Sequence, residues 1–169
     1  MAANQKLIKI FEHALQQELT GRIFFESSLQ RMGWGSAVSA FKRLIKEEEK
    51  HIQMIEKILA DLKEGSPIDL SAEKHLEEGA INYFEERAKK EFLVRCLEGS
   101  MVPEVTIFNT AWLIEKDLSE YYEKMAAQTE GEAKNALGML SNWEKGHEKF
   151  FREYRDKLSE VYSRMPWGG

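Results

Sequence analysis

Residues 137–158 read LGMLSNWEKGHEKFFREYRDKL, and Leu137, Leu140, Phe151, Tyr154 and Leu158 recur at three- and four-residue intervals. Apolar residues at that spacing lie on one face of an α-helix, the face that turns to the core of a folded protein. Glu144 and His147 interrupt the row at its middle. They stand one helical turn apart, so both project from the same inward face. Residues 41–62 repeat the arrangement as Phe41, Leu44, Glu48, His51, Ile55, Ile58 and Leu62.

Two further rows carry one carboxylate each. The first is Leu7, Phe11, Ala14, Glu18, Gly21 and Phe25; the other is Phe108, Ala111, Glu115, Leu118, Tyr122 and Met125. Glu18 and Glu115 are 97 residues apart, Ala14 and Phe25 match Ala111 and Tyr122 at that same offset, and Glu48 and Glu144 are 96 apart. The chain therefore contains a degenerate internal duplication. An isolated Glu-x-x-His usually marks a solvated helix face. Two such pairs on apolar stripes, each paired with a segment bearing a Glu at the corresponding level, argue for a shared interior site.

An unpaired carboxylate is disfavoured in a core, and four converging there repel one another unless they protonate or meet cations. Two divalent ions balance four carboxylates, and neutral imidazoles complete a mixed oxygen and nitrogen ligand set. The expected ligands are Glu18, Glu48, His51, Glu115, Glu144 and His147.

The helical rows extend over about 4–32, 36–63, 104–129 and 132–163. Gly33 and Gly35 flank Trp34 between the first two, and Gly131 separates the last two, so short turns should give two antiparallel hairpins. Between the hairpins, Gly65-Ser66-Pro67 ends one segment and Gly99 to Pro103 precedes the next. Residues 72–98 again read as helical, and a helix of about 25 residues covers nearly 40 Å, enough to return the chain along a bundle. The expectation is an all-α four-helix bundle in a single domain over residues 1–169, its two hairpins joined by a long, partly helical crossover.

With 43% hydrophobic and 31% charged residues and only three prolines, the composition is that of a folded, helical chain. A net charge of -5 and no basic stripe argue against a general affinity for nucleic acid. Cys96 is the single cysteine, which excludes an internal disulfide or a Cys-x-x-Cys pair and suits a reducing cytoplasm. The N-terminal stretch MAANQKLIKIFEHALQQE is amphipathic, and no apolar run approaches the ~20 residues of a membrane span, so a soluble, cytoplasmic protein without a membrane partner is expected.

Through Glu144-Lys145-Gly146-His147-Glu148-Lys149-Phe150-Phe151, and Glu115 followed by Tyr121-Tyr122-Glu123, the sequence resembles the rubrerythrin branch of the ferritin-like superfamily over essentially its whole length. A Glu from each of two helices plus Glu-x-x-His from the other two is the ligand pattern of that superfamily, and one long crossover is its connectivity. The resemblance implies two iron ions, bridged by Glu48 and Glu144, with Glu18 and Glu115 as terminal carboxylates and His51 and His147 capping one ion apiece. It further implies reduction of hydrogen peroxide or oxygen, and it is compatible with a homodimer to which Met165-Pro166-Trp167 contributes. Two departures stand out. Typical members carry a further Glu three residues after the third-helix ligand, where this chain has Leu118, so the redox-linked ligand exchange lacks that residue. A rubredoxin-like domain needs two Cys-x-x-Cys pairs, so electrons are expected from an external donor protein.

Other residues have plainer readings. Glu47 and Glu49 point away from the Glu48 face in a charged run, and His13 and His75 lie off the ligand rows. Tyr122, Trp112 and Trp143 stand near ligands in sequence, where core packing is the simpler role and tuning of the site or carrying oxidising equivalents the alternatives. Nothing beside Cys96 marks a reactive thiol. Three functions remain open at this level: peroxide reduction, ferroxidase or oxygen-dependent oxidation, and a non-enzymatic metal-binding or sensing module. The ligand types also accept manganese or zinc.

Overall fold

A computed structural model describes residues 2–31, 36–71 and 105–164. Among these residues the chain forms four helices and no strand: α1 (Ala2–Arg31), α2 (Ser36–Glu64), α3 (Val105–Ala126) and α4 (Gly131–Arg164). They build the all-α, ferritin-like four-helix bundle expected from the apolar rows. The crossover helix expected over 72–98, Cys96, His75 and the Met165-Pro166-Trp167 tail lie outside the described residues.

Contacts between named side chains fix the orientation of each pair. In the first hairpin, Asn4 near the start of α1 donates to the Leu62 carbonyl near the end of α2 at 3.2 Å, and Arg22 pairs with Glu49. In the second, the Ser141 hydroxyl donates to the Ser119 carbonyl at 3.1 Å, and the Trp112 indole N–H donates to Glu148 at 3.3 Å. Both hairpins are therefore antiparallel. Across them, Tyr121 of α3 donates its hydroxyl to the Ile10 carbonyl of α1 at 3.0 Å. Gly21 of α1 faces Ile114 of α3, where an added Cβ would make ordinary contact at 3.5 Å.

Local chemistry explains where the helices stop. Gly65 has φ 75, and its N–H reaches the Leu62 carbonyl while Ser66 N–H reaches the Asp61 carbonyl at 2.9 Å. This is a Schellman cap, which a glycine in the left-handed region closes without Cβ strain. The third segment, expected to continue to 129, ends as α-helix at Ala126. There the Gln128 and Thr129 amides bond carbonyls three residues back, and the Thr129 hydroxyl takes the Met125 carbonyl at 3.1 Å. Gly131, with φ 60, then turns the chain into α4.

The interior has two apolar zones. One is an aromatic plug with one phenylalanine per helix, Phe25, Phe41, Phe108 and Phe151, each exposed by 1% or less. Phe25 stacks on Phe151 at 5.9 Å, and Phe41 meets Phe108 edge-on at 5.5 Å. Burial of each ring contributes roughly 1.5–3 kcal/mol. The other zone is mainly aliphatic and includes Phe11, Ile55, Ile58, Leu137 and Leu140. On every helix the interrupting Glu lies in sequence between residues of the two zones, as with Ala14, Glu18 and Phe25 on α1. No helix among the described residues is long and apolar enough to cross a membrane.

Candidate metal centre

The helical period turns all six expected ligands inward, and antiparallel packing brings them to one level. Glu18, Glu48, Glu115 and Glu144 are fully buried, while His51 and His147 retain 3% and 7% exposure. They gather into two overlapping groups, Glu18, Glu48, His51 and Glu144, and Glu48, Glu115, Glu144 and His147. Within each group one ligand atom per residue lies within 4.8 Å of the others. Glu48 and Glu144 belong to both groups.

Each imidazole presents Nδ1 to its carboxylates. His51 Nδ1 stands 2.8 Å from Glu144, 3.7 Å from Glu48 and 3.8 Å from Glu18. His147 Nδ1 stands 3.2 Å from Glu48, 3.3 Å from Glu144 and 3.4 Å from Glu115. Among the described residues, both carboxylate oxygens of Glu48, Glu115 and Glu144 are buried without a hydrogen-bond partner, as are one oxygen of Glu18 and Nδ1 of His51. Orphaned buried polar atoms are rare and strongly disfavoured. Here they converge on one interior layer and are hard or borderline donors, so the residues fit a metal site.

Proton affinities express the same crowding. Burial, then the charge of Glu144, pushes the Glu18 and Glu115 carboxyls well above the usual range. Burial also works against ionised Glu48 and Glu144, but their contacts with His51 and His147 outweigh it and hold both below the ordinary value. Burial disfavours charged His51 and His147, yet the surrounding carboxylates raise both well above an ordinary imidazole. Protons thus take part of the place that cations would fill.

Residues outside the ligand set divide differently from their sequence readings. Glu47 pairs with Lys50 and Glu49 with Arg22, so both face away from the cluster. His13 is exposed and edge-on to Tyr121 at 4.9 Å. Leu118, at the position of the additional family Glu, is buried in the aliphatic zone. Trp112 is partly buried beneath Arg155, whose guanidinium lies 4.2 Å from the ring centre. Tyr122 does more than pack: it is fully buried and donates its hydroxyl to Glu18. Its sequence signal was the mismatch with Phe25 in the duplication, where one hydroxyl distinguishes otherwise matched positions. Trp143 lies face to face with His51, at 4.8 Å and 8°.

Comparison with curated proteins and with solved structures gave no match. The model of the Rubrerythrin family matches residues 9–155, a span that covers α2 and α3 whole, most of α1 and α4, and all six clustered residues. A four-helix bundle, a buried carboxylate and histidine cluster that could hold metal, and a family match over most of the chain agree, and the protein belongs to the rubrerythrin family.

Proposed function

We propose that this protein is a non-haem di-iron oxidoreductase that reduces hydrogen peroxide with electrons from an external donor protein. The observation that carries the reading is the pair of four-residue groups sharing Glu48 and Glu144. In this reading Glu48 and Glu144 would be shared by both ions. Glu18 and His51 complete one coordination set, and Glu115 and His147 the other.

Iron is preferred over zinc because peroxide reduction needs a redox-active metal, and the oxygen and nitrogen donor set accepts it. Two ferrous ions, when bound, supply the two electrons that convert hydrogen peroxide and two protons into two water molecules. The chain itself holds the ligands and limits solvent. Tyr122 fixes one oxygen of Glu18 by donating to it. The aromatic plug and the aliphatic zone close the bundle on either side of the ligand layer. A dry surrounding strengthens electrostatic interactions within the centre. An external donor fits a chain whose one cysteine provides no Cys-x-x-Cys iron site, and the same composition suits a cytoplasmic location.

The test is anaerobic loading with ferrous iron, metal quantitation, and optical spectra as peroxide or oxygen is added. Two irons per chain, oxidised faster by peroxide than by oxygen, are expected, with turnover lost in Glu48→Gln and His147→Ala. A preference for oxygen would replace this reading with a ferroxidase or oxidase. A tightly held redox-silent metal with no spectral response would make the protein a metal-binding or sensing module.

A further inference from the structure

Metal-ligating histidines are ordinarily held by a hydrogen bond on the ring nitrogen that does not face the metal. Among the described residues, His51 has no such restraint. Its polar contacts among the described residues run from Nδ1 to Glu144, Glu48 and Glu18, and none reaches Nε2. Instead the ring lies flat on the Trp143 indole, with centroids 4.8 Å apart and planes 8° from parallel. A near-parallel ring at that distance opposes rotation about the histidine Cβ–Cγ bond, because turning the imidazole would drive its edge into the indole.

Two further observations separate this indole from ordinary core filler. Its Nε1 is buried with no hydrogen-bond partner among the described residues, although buried tryptophans usually satisfy that donor. An apolar residue would fill the space without orphaning an N–H. The duplication is also broken at this point. The offset of 96 that relates Glu48 to Glu144 relates Glu47 to Trp143, and Glu47 turns instead to Lys50 at 3.1 Å. The indole therefore belongs to one half of the centre.

We propose that Trp143 is a positioning residue, whose flat face sets the plane of the His51 imidazole so that Nδ1 points at Glu18, Glu48 and Glu144. The two metal positions then differ in kind, with the indole acting on the one that contains His51. This inference rests on the metal-centre reading and concerns how tightly one of the two positions binds.

Metal-free protein is titrated with cobalt(II) and followed by visible absorption, in wild type, Trp143→Leu and Trp143→Phe, with helical circular dichroism as the check on folding. Wild type should take up two ions per chain. Trp143→Leu should weaken one ion by about 10- to 100-fold, the usual effect of removing an orienting partner, and leave the other unchanged. Trp143→Phe, which restores a flat face, should recover most of that affinity. In a His51→Ala background, Trp143→Leu should add no further loss. Should Trp143→Leu fail to fold, Trp143→Met fills similar volume without a ring, and binding of both ions as tightly as in Trp143→Phe overturns the proposal. Two ions bound normally, or both weakened equally, in folded Trp143→Leu also overturn it while leaving the metal centre intact. A wild-type chain that binds no cobalt removes the centre and this inference together.

Discussion

Replacing Tyr122 by phenylalanine deletes one hydroxyl from the interior and nothing else. The ring is fully buried, and the matched position in the duplication is already a phenylalanine, Phe25. Packing should therefore survive. What disappears is the donor to Glu18, whose other oxygen already lacks a partner in the metal-free chain. Burial, then the charge of Glu18, raises the phenol well above its usual range, so it remains a donor at any pH of practical interest. Leaving a buried acceptor without its donor costs about 1–3 kcal/mol, and for a chain of this size each kcal/mol moves Tm by roughly 2–4 °C. Chelator-treated Tyr122→Phe should melt about 2–12 °C below wild type by calorimetry. A fall of less than about 1 °C, or a rise, would refute the reasoning that this hydroxyl satisfies a buried carboxylate.

Metal removal should act on the whole fold, because each of the two ligand groups draws on more than one helix. Each position filled at 100 times its Kd adds about 2.7 kcal/mol, so two give roughly 5 kcal/mol and a Tm rise near 10–20 °C, readable in a thermal melt with and without chelator. Shared and terminal ligands should separate by metal count: Glu48→Gln or Glu144→Gln should lower occupancy at both positions, whereas His147→Ala should retain about one ion per chain in native mass spectrometry. Metal binding should release protons, because Glu18, Glu115, His51 and His147 all hold protons more tightly than usual in the metal-free fold. Affinity should then rise with pH, and calorimetric titration in buffers of different ionisation enthalpy counts the protons. For metal-free stability the sign is opposite. The raised imidazoles contribute stability that is present below the ordinary value of 6.5 and is lost as pH climbs through their folded values, so the melting temperature should decline above about 6.5 unless metal is added.

The sequence by itself determined the four described helices, their inward faces and the six residues that cluster between them. A helical period fixes which side chains share a face, and a carboxylate in an apolar row is a local anomaly that demands compensation. The offset of 97 also exposed the duplication before any contact was known. The family resemblance pointed to Glu48 and Glu144 as the shared carboxylates, but only the tertiary structure puts them in both groups, because that depends on the axial height and rotation of one helix against another. Glu48 and Glu144 lie 96 residues apart, and no local pattern measures their separation from His51 or His147. The same holds for Tyr122 and Trp143. Each fits an apolar row or its edge as ordinary core, yet the contacts that distinguish them, to Glu18 across 104 residues and to His51 on another helix, arise only when the two hairpins pack. Side-chain periodicity is a property of one helix, whereas a ligand's bridging or orienting role is a property of the space between helices.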